Sequence, residues 1–213
     1  MRHKYIYFDV AGTLLYKNGL YEGIRKTLEE HGYELLLTDI IRNHRLLSDT
    51  TSFPVKTEKG FYMDFNRKLL LSLGVIPEVN IIDAIFESCS GLSWKPYDDV
   101  DVLAKISCPK GILSNWDDSL QDVLEKCLPY SFDTVLSSHQ EGLGKPDVAF
   151  YKKAVEDAGC DAAEILFVGD SIALDYVPAA KTGIDVVLID RDSYYRSFPG
   201  KKMRSLGEVC ELE

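Results

Sequence analysis

The chain has 213 residues, 46% of them hydrophobic, and a formal net charge of −10. This length suits one domain, or one domain with an inserted lobe, and the composition excludes a disordered chain and a disulfide scaffold. The acidic balance disfavours proteins that wrap nucleic acid or lie on anionic lipid, because both need a surplus of Lys and Arg. We therefore expect neither nucleic acid nor membrane as a partner.

The cysteines and the N-terminus indicate the compartment. The cysteines are odd in number and never spaced as C-x-x-C, which disfavours a structural zinc site and a secreted disulfide framework. We interpret them as reduced, mostly buried thiols. The first residues do not resemble a signal peptide, and no apolar run approaches the roughly 18 residues of a membrane helix. We expect a cytoplasmic protein that is a monomer or a homodimer.

Five short, nearly continuous apolar runs predict buried β-strands. Runs of this kind, rather than alternating ones, indicate strands that are covered on both faces of a sheet. The first run ends at Asp9 and is followed by Ala11 and Gly12, where glycine allows a sharp turn. The five predicted strands cover residues 4–9, 110–114, 133–137, 164–169 and 185–190.

Helical patterns alternate with these strands in the second half of the chain. Residues 117–128 and 147–158 each place apolar side chains on one stripe. Alternation of strand and helix from about residue 98 onwards predicts an α/β fold with a doubly wound, mostly parallel sheet.

Residues 16–95 interrupt that alternation. They contain helical patterns around 21–31, 38–47, 59–73 and 79–89, and no convincing buried strand. The simplest arrangement is a helical lobe inserted after the first strand. We therefore predict a core domain formed by residues 1–15 and 96–213 and a helical cap domain formed by residues 16–95.

Polar residues follow three of the predicted strands. Ligands of open α/β sheets bind beyond the carboxyl ends of the strands, and here those ends carry Asp9, Ser114 with Asn115, and Asp170. Each residue alone has a simpler explanation, since aspartate and serine often cap helices or form turns. Lys145, before Pro146, could likewise be a solvated charge ahead of a helix. Their joint order on one sheet favours a functional site.

These residues also form four motifs that resemble those of the haloacid dehalogenase-like (HAD) hydrolases. The resemblance covers nearly the whole chain, and an inserted helical lobe after the first motif is where the C1-type caps of that family lie. In order, the motifs are Asp9-Val-Ala-Gly-Thr13-Leu14, Ser114-Asn115, Gly144-Lys145-Pro146-Asp147, and Val168-Gly169-Asp170-Ser171 extending to Asp175.

The resemblance implies phosphoryl transfer with Mg²⁺ as cofactor and a small phosphorylated or otherwise anionic substrate. Such a reaction needs a carboxylate nucleophile, a divalent cation and a positively charged clamp. Asp9 would be the nucleophile and pass through an aspartyl-phosphate, and Lys145 would be the second catalytic residue. The implied metal ligands are Asp9, the carbonyl of Ala11, Asp170 and Asp175. The implied phosphate-binding residues are Thr13, Ser114, Asn115 and Lys145.

Ala11 departs from the pattern of the family's phosphatases, which usually carry a second aspartate at this position. That aspartate protonates the leaving oxygen, a contribution of about 10² to 10⁴ in rate. Three hypotheses follow: a phosphatase that tolerates the loss, a phosphonatase-like or dehalogenase-like hydrolase, or a non-catalytic binding module. A phosphonatase would need a cap lysine as a Schiff base, for which Lys56, Lys59 and Lys68 are candidates.

The cap would select the substrate. Its basic residues could contact an anion, and its aromatic residues could form apolar walls, although the simpler interpretation is solvated charges and cap core. The basic candidates are Arg42, Arg45, Lys56, Lys59 and Arg67, and the aromatic candidates are Tyr16, Tyr21, Phe53, Phe61, Tyr62 and Phe65.

Overall fold

The computed structural model describes residues 3–51, 54 and 58–212. Within these ranges the chain forms two compact units. The first, which we call the sheet unit, contains residues 3–16, 54 and 94–212. The second, which we call the helical unit, contains residues 17–51 and 58–93.

The strands form one large and one small sheet. They are β1 (Tyr5–Phe8), β2 (Leu15–Lys17), β3 (Trp94–Pro96), β4 (Lys110–Ser114), β5 (Thr134–Ser137), β6 (Ile165–Gly169), β7 (Asp185–Ile189) and β8 (Lys202–Met203). The large sheet has the order β5, β4, β1, β6, β7, β8, and all its neighbouring strands are parallel. The predicted mostly parallel sheet is therefore confirmed, and β1 lies near its centre.

Both faces of the large sheet are covered, which explains why its strands are apolar throughout. Successive side chains of a strand point to opposite faces. In β1, Ile6 and Phe8 pack into one apolar cluster, whereas Tyr5 and Tyr7 pack into another. The same alternation in β6 places Phe167 on the face of the two tyrosines.

The described ranges contain eight α-helices, of which the first four lie in the helical unit and the last four in the sheet unit. They are α1 (Leu20–Glu30), α2 (Leu37–Thr50), α3 (Lys59–Ser72), α4 (Val79–Cys89), α5 (Leu120–Cys127), α6 (Ser138–Glu141), α7 (Val148–Ala158) and α8 (Val177–Lys181). Leu124 of α5 packs on one face of the sheet and Phe150 of α7 on the other, as expected for a doubly wound fold. Within the described ranges, no helix has both the length and the apolar character needed to cross a bilayer.

The helical unit has its own apolar core, formed by helices α1 to α4. Leu28, Ile40, Leu69 and Ile82 lie at its centre and are fully buried. All four helices lie where helical patterns were predicted, although α2 extends beyond the predicted 38–47 to Thr50.

Three short strands were not predicted. β2 pairs with β3, and neither strand has a buried residue between residues 16 and 95, so the pair does not contradict the prediction of no convincing buried strand there. β2 and β3 span the predicted domain boundaries, and the two compact units divide after residue 16 and before residue 94, close to those boundaries. β8 contains two residues. Strands of two or three residues are too short to show a period, so the sequence pattern misses them.

None of the five cysteines forms a disulfide, but the expectation that most are buried is wrong. Cys108 is buried, whereas Cys210 is exposed and the other three are partly exposed. These thiols therefore contribute less to the apolar core than their residue type suggests.

We predict that Gly111→Ala destabilises the protein because β4 packs closely against a tyrosine ring. Gly111 lies opposite Tyr7 in the sheet, and a Cβ at this position would overlap that ring, which stacks on Tyr5 with 4.7 Å between centroids. Overpacking of a buried site costs about 1 to 3 kcal/mol, to be measured by urea unfolding. Gly60→Ala is the control, because a Cβ there meets no atom within 4 Å. Equal stability of both variants would contradict this account.

Candidate active site

The site lies at the carboxyl ends of β1, β4 and β6, which are neighbours in the sheet. Asp9 directly follows β1, Ser114 is the last residue of β4, and Asp170 directly follows β6. The amide of Asp9 donates to the carbonyl of Val168 at 2.9 Å, and the hydroxyl of Ser114 donates to Asp9 Oδ1 at 3.0 Å. The parallel order of the strands thus brings together residues more than 100 positions apart in sequence.

Lys145 connects two buried carboxylates at this edge. Its Nζ donates to Asp9 Oδ1 and to Asp175 Oδ1, both at 2.6 Å. The lysine is only 4% exposed, so it is not the solvated charge that a lysine before a helix often is. Beneath the ammonium group, the ring centroid of Phe167 lies 5.5 Å away.

Burial and neighbouring charges both shift the pKa values of Lys145 and Asp175. Burial alone would lower the pKa of Lys145, but the carboxylates of Asp175 and Asp9 outweigh it and raise that pKa above its usual value. Burial raises the pKa of Asp175 to about 6, with Lys145 opposing the increase and Asp9 adding to it. The site therefore keeps its ammonium charged, whereas one of its carboxyls is poised to take a proton.

Three carboxylates form a cluster whose oxygen atoms are suitable ligands for a hard cation. One oxygen each from Asp9, Asp170 and Asp175 lies within 4.8 Å of the others. When all are ionised, three carboxylates and the single ammonium of Lys145 leave two excess negative charges. A divalent cation with oxygen ligands matches both the donors and the charge.

Two glycines make room for this cluster. Gly12 has a φ of +87°, and a Cβ there would overlap the carboxylate of Asp170. A Cβ at Gly169 would overlap the carboxylate of Asp175. The amide of Ser171 also donates to Asp175 Oδ2 at 3.0 Å, which fixes that carboxylate. The glycines of the first and fourth motifs are thus required by close packing against acidic groups.

The loop after β1 contains a buried hydroxyl that has no partner. Thr13 is fully buried, and within the described part of the chain its Oγ1 makes no hydrogen bond. An unsatisfied buried hydroxyl costs free energy, so it is a natural contact for a bound oxyanion. Ala11 in the same loop is exposed. The roles predicted for Thr13 as a phosphate contact and for the Ala11 carbonyl as a metal ligand stay predictions.

Asn115 uses both ends of its side-chain amide to hold Lys145. Its Nδ2 donates to the carbonyl of Lys145 at 2.9 Å, and its Oδ1 accepts from the amide of Lys145 at 2.7 Å. Because the third motif is clamped in this way, the Lys145 side chain starts from a fixed backbone. The predicted contact of Asn115 with phosphate is not tested by this geometry.

Sequence reasoning gave no role in the site to Tyr151, which lies in the predicted helix of residues 147–158. Its hydroxyl donates to the carbonyl of Leu174, within the π-helical turn Ile172–Tyr176 that carries Asp175. Burial raises the pKa of Tyr151 well above its usual value, and Asp175 and Asp9 add to the increase. The only signal in the sequence is that this tyrosine follows the motif lysine by six residues. That spacing does not distinguish a hydrogen bond to the turn of Asp175 from simple core packing.

The candidate cap lysines that the structure describes lie in exposed ion pairs. Phe53 and Lys56 lie outside the described residues. Lys59 is paired with Asp83 and Glu87, and Lys68 with Asp64. Both lysines are at least half-exposed, unlike the desolvated amine that Schiff-base chemistry uses.

The remaining cap candidates divide between surface and core. Arg42, Arg67 and Tyr62 are exposed, whereas Phe65 is buried in the helical unit, where it packs against His44. His44 also meets the ring of Tyr21, and its pKa is lowered to about 4, chiefly by burial. The predicted substrate contacts among Arg45, Tyr16, Tyr21 and Phe61 stay predictions.

The family model for haloacid dehalogenase-like hydrolases matches residues 3–183. With the parallel sheet and the carboxylate cluster at its edge, this match defines the class: the chain belongs to the haloacid dehalogenase-like hydrolase family.

Individual relatives are more distant. Haloacid dehalogenase-like hydrolase domain-containing protein 3 of Danio rerio is 29% identical over 108 residues, which cover 48% of this chain and 45% of that protein. The chain spans less than half the length of the first curated relatives that it matches. Glyceraldehyde 3-phosphate phosphatase of Methanothermobacter thermautotrophicus is 24% identical over 207 residues, with 89% of this chain and 86% of that protein covered.

The fold recurs in a solved structure. The HAD hydrolase YfnB of Bacillus subtilis, solved with bound magnesium, superposes with a TM-score of 0.68 at 17% identity and covers 100% of this chain and 99% of that one. At this identity the similarity is one of fold.

We predict that Asp175 makes the metal-free protein less stable as pH rises. Its pKa is raised from 3.8 to about 6 in the folded protein, so its contribution to stability is present below about pH 4 and is lost as pH rises through about 6. In Asp175→Asn this contribution is absent, so the stability of the variant relative to wild type should rise across this window. Urea unfolding with EDTA between about pH 4 and 7 measures it.

The matched control for this titration is Asp64→Asn, which removes one exposed carboxylate in the helical unit. It should follow the pH dependence of the wild type. If Asp175→Asn also follows the wild-type curve, the folded-state pKa of Asp175 is not raised.

Proposed function

We propose that this protein is a Mg²⁺-dependent phosphatase that acts on a small phosphorylated metabolite through an aspartyl-phosphate at Asp9. The observation that carries the proposal is the buried Lys145 ammonium, 2.6 Å from both Asp9 and Asp175 at the carboxyl edge of the sheet. A cation held there serves a reaction in which negative charge moves between an acidic nucleophile and a phosphoryl group. The methanogen relative named as a glyceraldehyde 3-phosphate phosphatase supports a phosphate ester as substrate.

The metal proposal rests on the carboxylate cluster and its excess charge. We propose that Asp9, Asp170 and the carbonyl of Ala11 hold Mg²⁺, and that Asp175 is a further ligand or holds a metal-bound water. Bound there, the ion would neutralise charge on the phosphoryl oxygens and orient the substrate. The magnesium in the structure of YfnB supports this choice of ion.

The proposed chemistry has two steps. A carboxylate oxygen of Asp9 forms a bond to phosphorus while the bond between phosphorus and the leaving oxygen breaks, and that oxygen departs with the electron pair. Thr13, Ser114, Asn115 and Lys145 bind the phosphoryl group, and the lysine neutralises charge on its oxygens. Water then displaces Asp9 from phosphorus, which releases inorganic phosphate and restores the carboxylate.

Ala11 restricts this chemistry. A methyl group can neither protonate the leaving oxygen nor activate the water, so the leaving group must carry its own negative charge. Acyl and aryl phosphates, whose leaving groups are stable anions, should therefore react much faster than sugar phosphates. A second candidate, a binding module without turnover, is favoured by the same alanine and opposed by the paired Lys145, Asp9 and Asp175.

Other expectations belong to the same proposal. We propose a cytoplasmic monomer or homodimer whose partner is a small anionic substrate and which binds neither nucleic acid nor membrane. The excess of acidic residues supports the last two points.

We expect Asp9→Asn to abolish turnover of p-nitrophenyl phosphate in the presence of Mg²⁺, because an amide does not attack phosphorus as a carboxylate does. The variant should stay folded, since an amide oxygen can still accept from Ser114 and Lys145. Asp122→Asn, which changes an exposed aspartate of α5, is the control and should match the wild type. Phosphate release by Asp9→Asn at the wild-type rate would refute the nucleophile assignment.

We expect Ala11→Asp to favour alkyl phosphates selectively. The restored acid should raise kcat/KM for an alkyl phosphate by up to about 10² to 10⁴, with little change for an aryl phosphate that needs no proton. The measurement is the ratio of the two constants in wild type and variant, after Mg²⁺ binding and folding of the variant are verified. An unchanged ratio would mean that another group donates the proton, and no turnover by either protein would favour the binding module.

A further inference from the structure

We propose that Arg191, which follows β7 by two positions, is a positioning residue that fixes the loop carrying Thr13. The inference rests on the proposed function, because it takes the Thr13 hydroxyl to be a phosphate contact. Neither the motifs nor the strand-end argument singles out Arg191.

The loop of Thr13 turns tightly around one carbonyl group. The carbonyl of Val10 accepts from the amides of Thr13, Leu14 and Leu15, at 3.3, 2.9 and 2.8 Å. The carbonyls of Thr13 and Leu14 are not used within this turn, so their partners come from elsewhere in the sheet unit.

Arg191 and Tyr97 supply those partners. Arg191 Nη2 donates to the carbonyl of Thr13 at 2.8 Å, and the amide of Tyr97 donates to the carbonyl of Leu14 at 3.1 Å. The guanidinium also lies over the ring of Tyr97, with its central carbon 3.8 Å from the ring centroid. The two residues therefore donate to consecutive carbonyls, and the guanidinium of the first also stacks on the ring of the second. This fixes the peptide plane on the carboxyl side of Thr13.

Arg191 is itself held in place. It forms a two-pronged pair with Asp99, at 2.7 Å from Nη1 and 3.0 Å from Nη2. Asp99 in turn accepts from the hydroxyl of Ser205 and the amide of Leu206, both at 2.9 Å. The side chain of Arg191 is 12% exposed and that of Asp99 is 21% exposed, so the charge-assisted hydrogen bonds of this network are largely shielded from water.

A lysine could not replace this arrangement. Planar guanidinium can bind a carboxylate with two donors, donate to a carbonyl and stack on a ring at the same time, whereas an ammonium group is a point charge. The geometry therefore makes the shape of Arg191, and not its charge alone, responsible for the position of Thr13. Misplacement of a catalytic contact by about 1 Å can cost about 100-fold in rate.

The first test follows the loop directly, without turnover. Hydrogen exchange measured by mass spectrometry should be faster in peptides covering residues 10–15 of Arg191→Ala and of Arg191→Lys than in wild type. Arg204→Ala is the matched control, because Arg204 is exposed and its side chain bonds to Ser193. Unchanged exchange in this loop, or equally faster exchange throughout the sheet unit of both Arg191 variants, would overturn the inference.

The second test measures the consequence for the reaction. With p-nitrophenyl phosphate and Mg²⁺, kcat/KM should fall about 10- to 100-fold in Arg191→Ala, and added methylguanidinium should restore part of it. Arg204→Ala should keep wild-type kinetics and gain nothing from methylguanidinium. The loss in Arg191→Ala combined with Thr13→Val should be smaller than the product of the single losses, because both changes remove the same contact.

These outcomes separate the two proposals. If the wild type releases no phosphate from any ester, the proposed function fails and the exchange experiment alone decides the inference. If the wild type is active and Arg191→Ala matches Arg204→Ala in turnover, the inference fails and the proposed function stands. Additive losses in the double variant would also overturn it, because Arg191 would then act independently of Thr13.

Discussion

The Lys145 ammonium, buried between Asp9 and Asp175, is the interaction on which the arrangement of the site depends. Two carboxylates this well buried would repel each other, and removing the partner of a buried charge costs about 3 to 5 kcal/mol. The lysine makes their coexistence possible, and it can do so only from a fixed backbone. The two hydrogen bonds between Asn115 and the Lys145 backbone provide that anchor, so the second motif holds the third.

The strand order of the large sheet brings the charged residues of the site together. Because β1 lies between β4 and β6, the residues after these strands meet at one edge, and the amide of Asp9 is bonded to Val168 of the neighbouring strand. Glycine then allows the acidic groups to approach the backbone, at Gly12 for Asp170 and at Gly169 for Asp175. Any side chain at these positions would displace a carboxylate. The geometry of the site therefore depends on the two glycines as much as on the acidic residues.

The sequence predicts the long strands and the strand-end residues well, for a physical reason. Strands buried on both faces must be apolar throughout, and parallel strands must end at the same edge. The short strands β2, β3 and β8 are not predicted in this way, because two or three residues show no hydrophobic period. Sequence patterns also do not predict three contacts of the site, which are made by the side-chain amide of Asn115, the hydroxyl of Tyr151 and the guanidinium of Arg191. Each of these groups acts through partners that only the folded chain brings near. Sequence patterns predict which residues reach the edge, and not which of them hold the others in place.

The charge balance of the site also bears on how the residue type at position 11 is interpreted. Position 11 precedes Gly12, whose backbone packs against the carboxylate of Asp170. Ala11 itself is exposed, so an aspartate at this position would carry its charge in contact with solvent. One divalent cation would balance the charges of the three carboxylates and Lys145, and a solvated fourth acid would leave that balance unchanged. The difference between alanine and aspartate at position 11 therefore concerns proton transfer at the edge of the site and not the charge balance of its buried cluster.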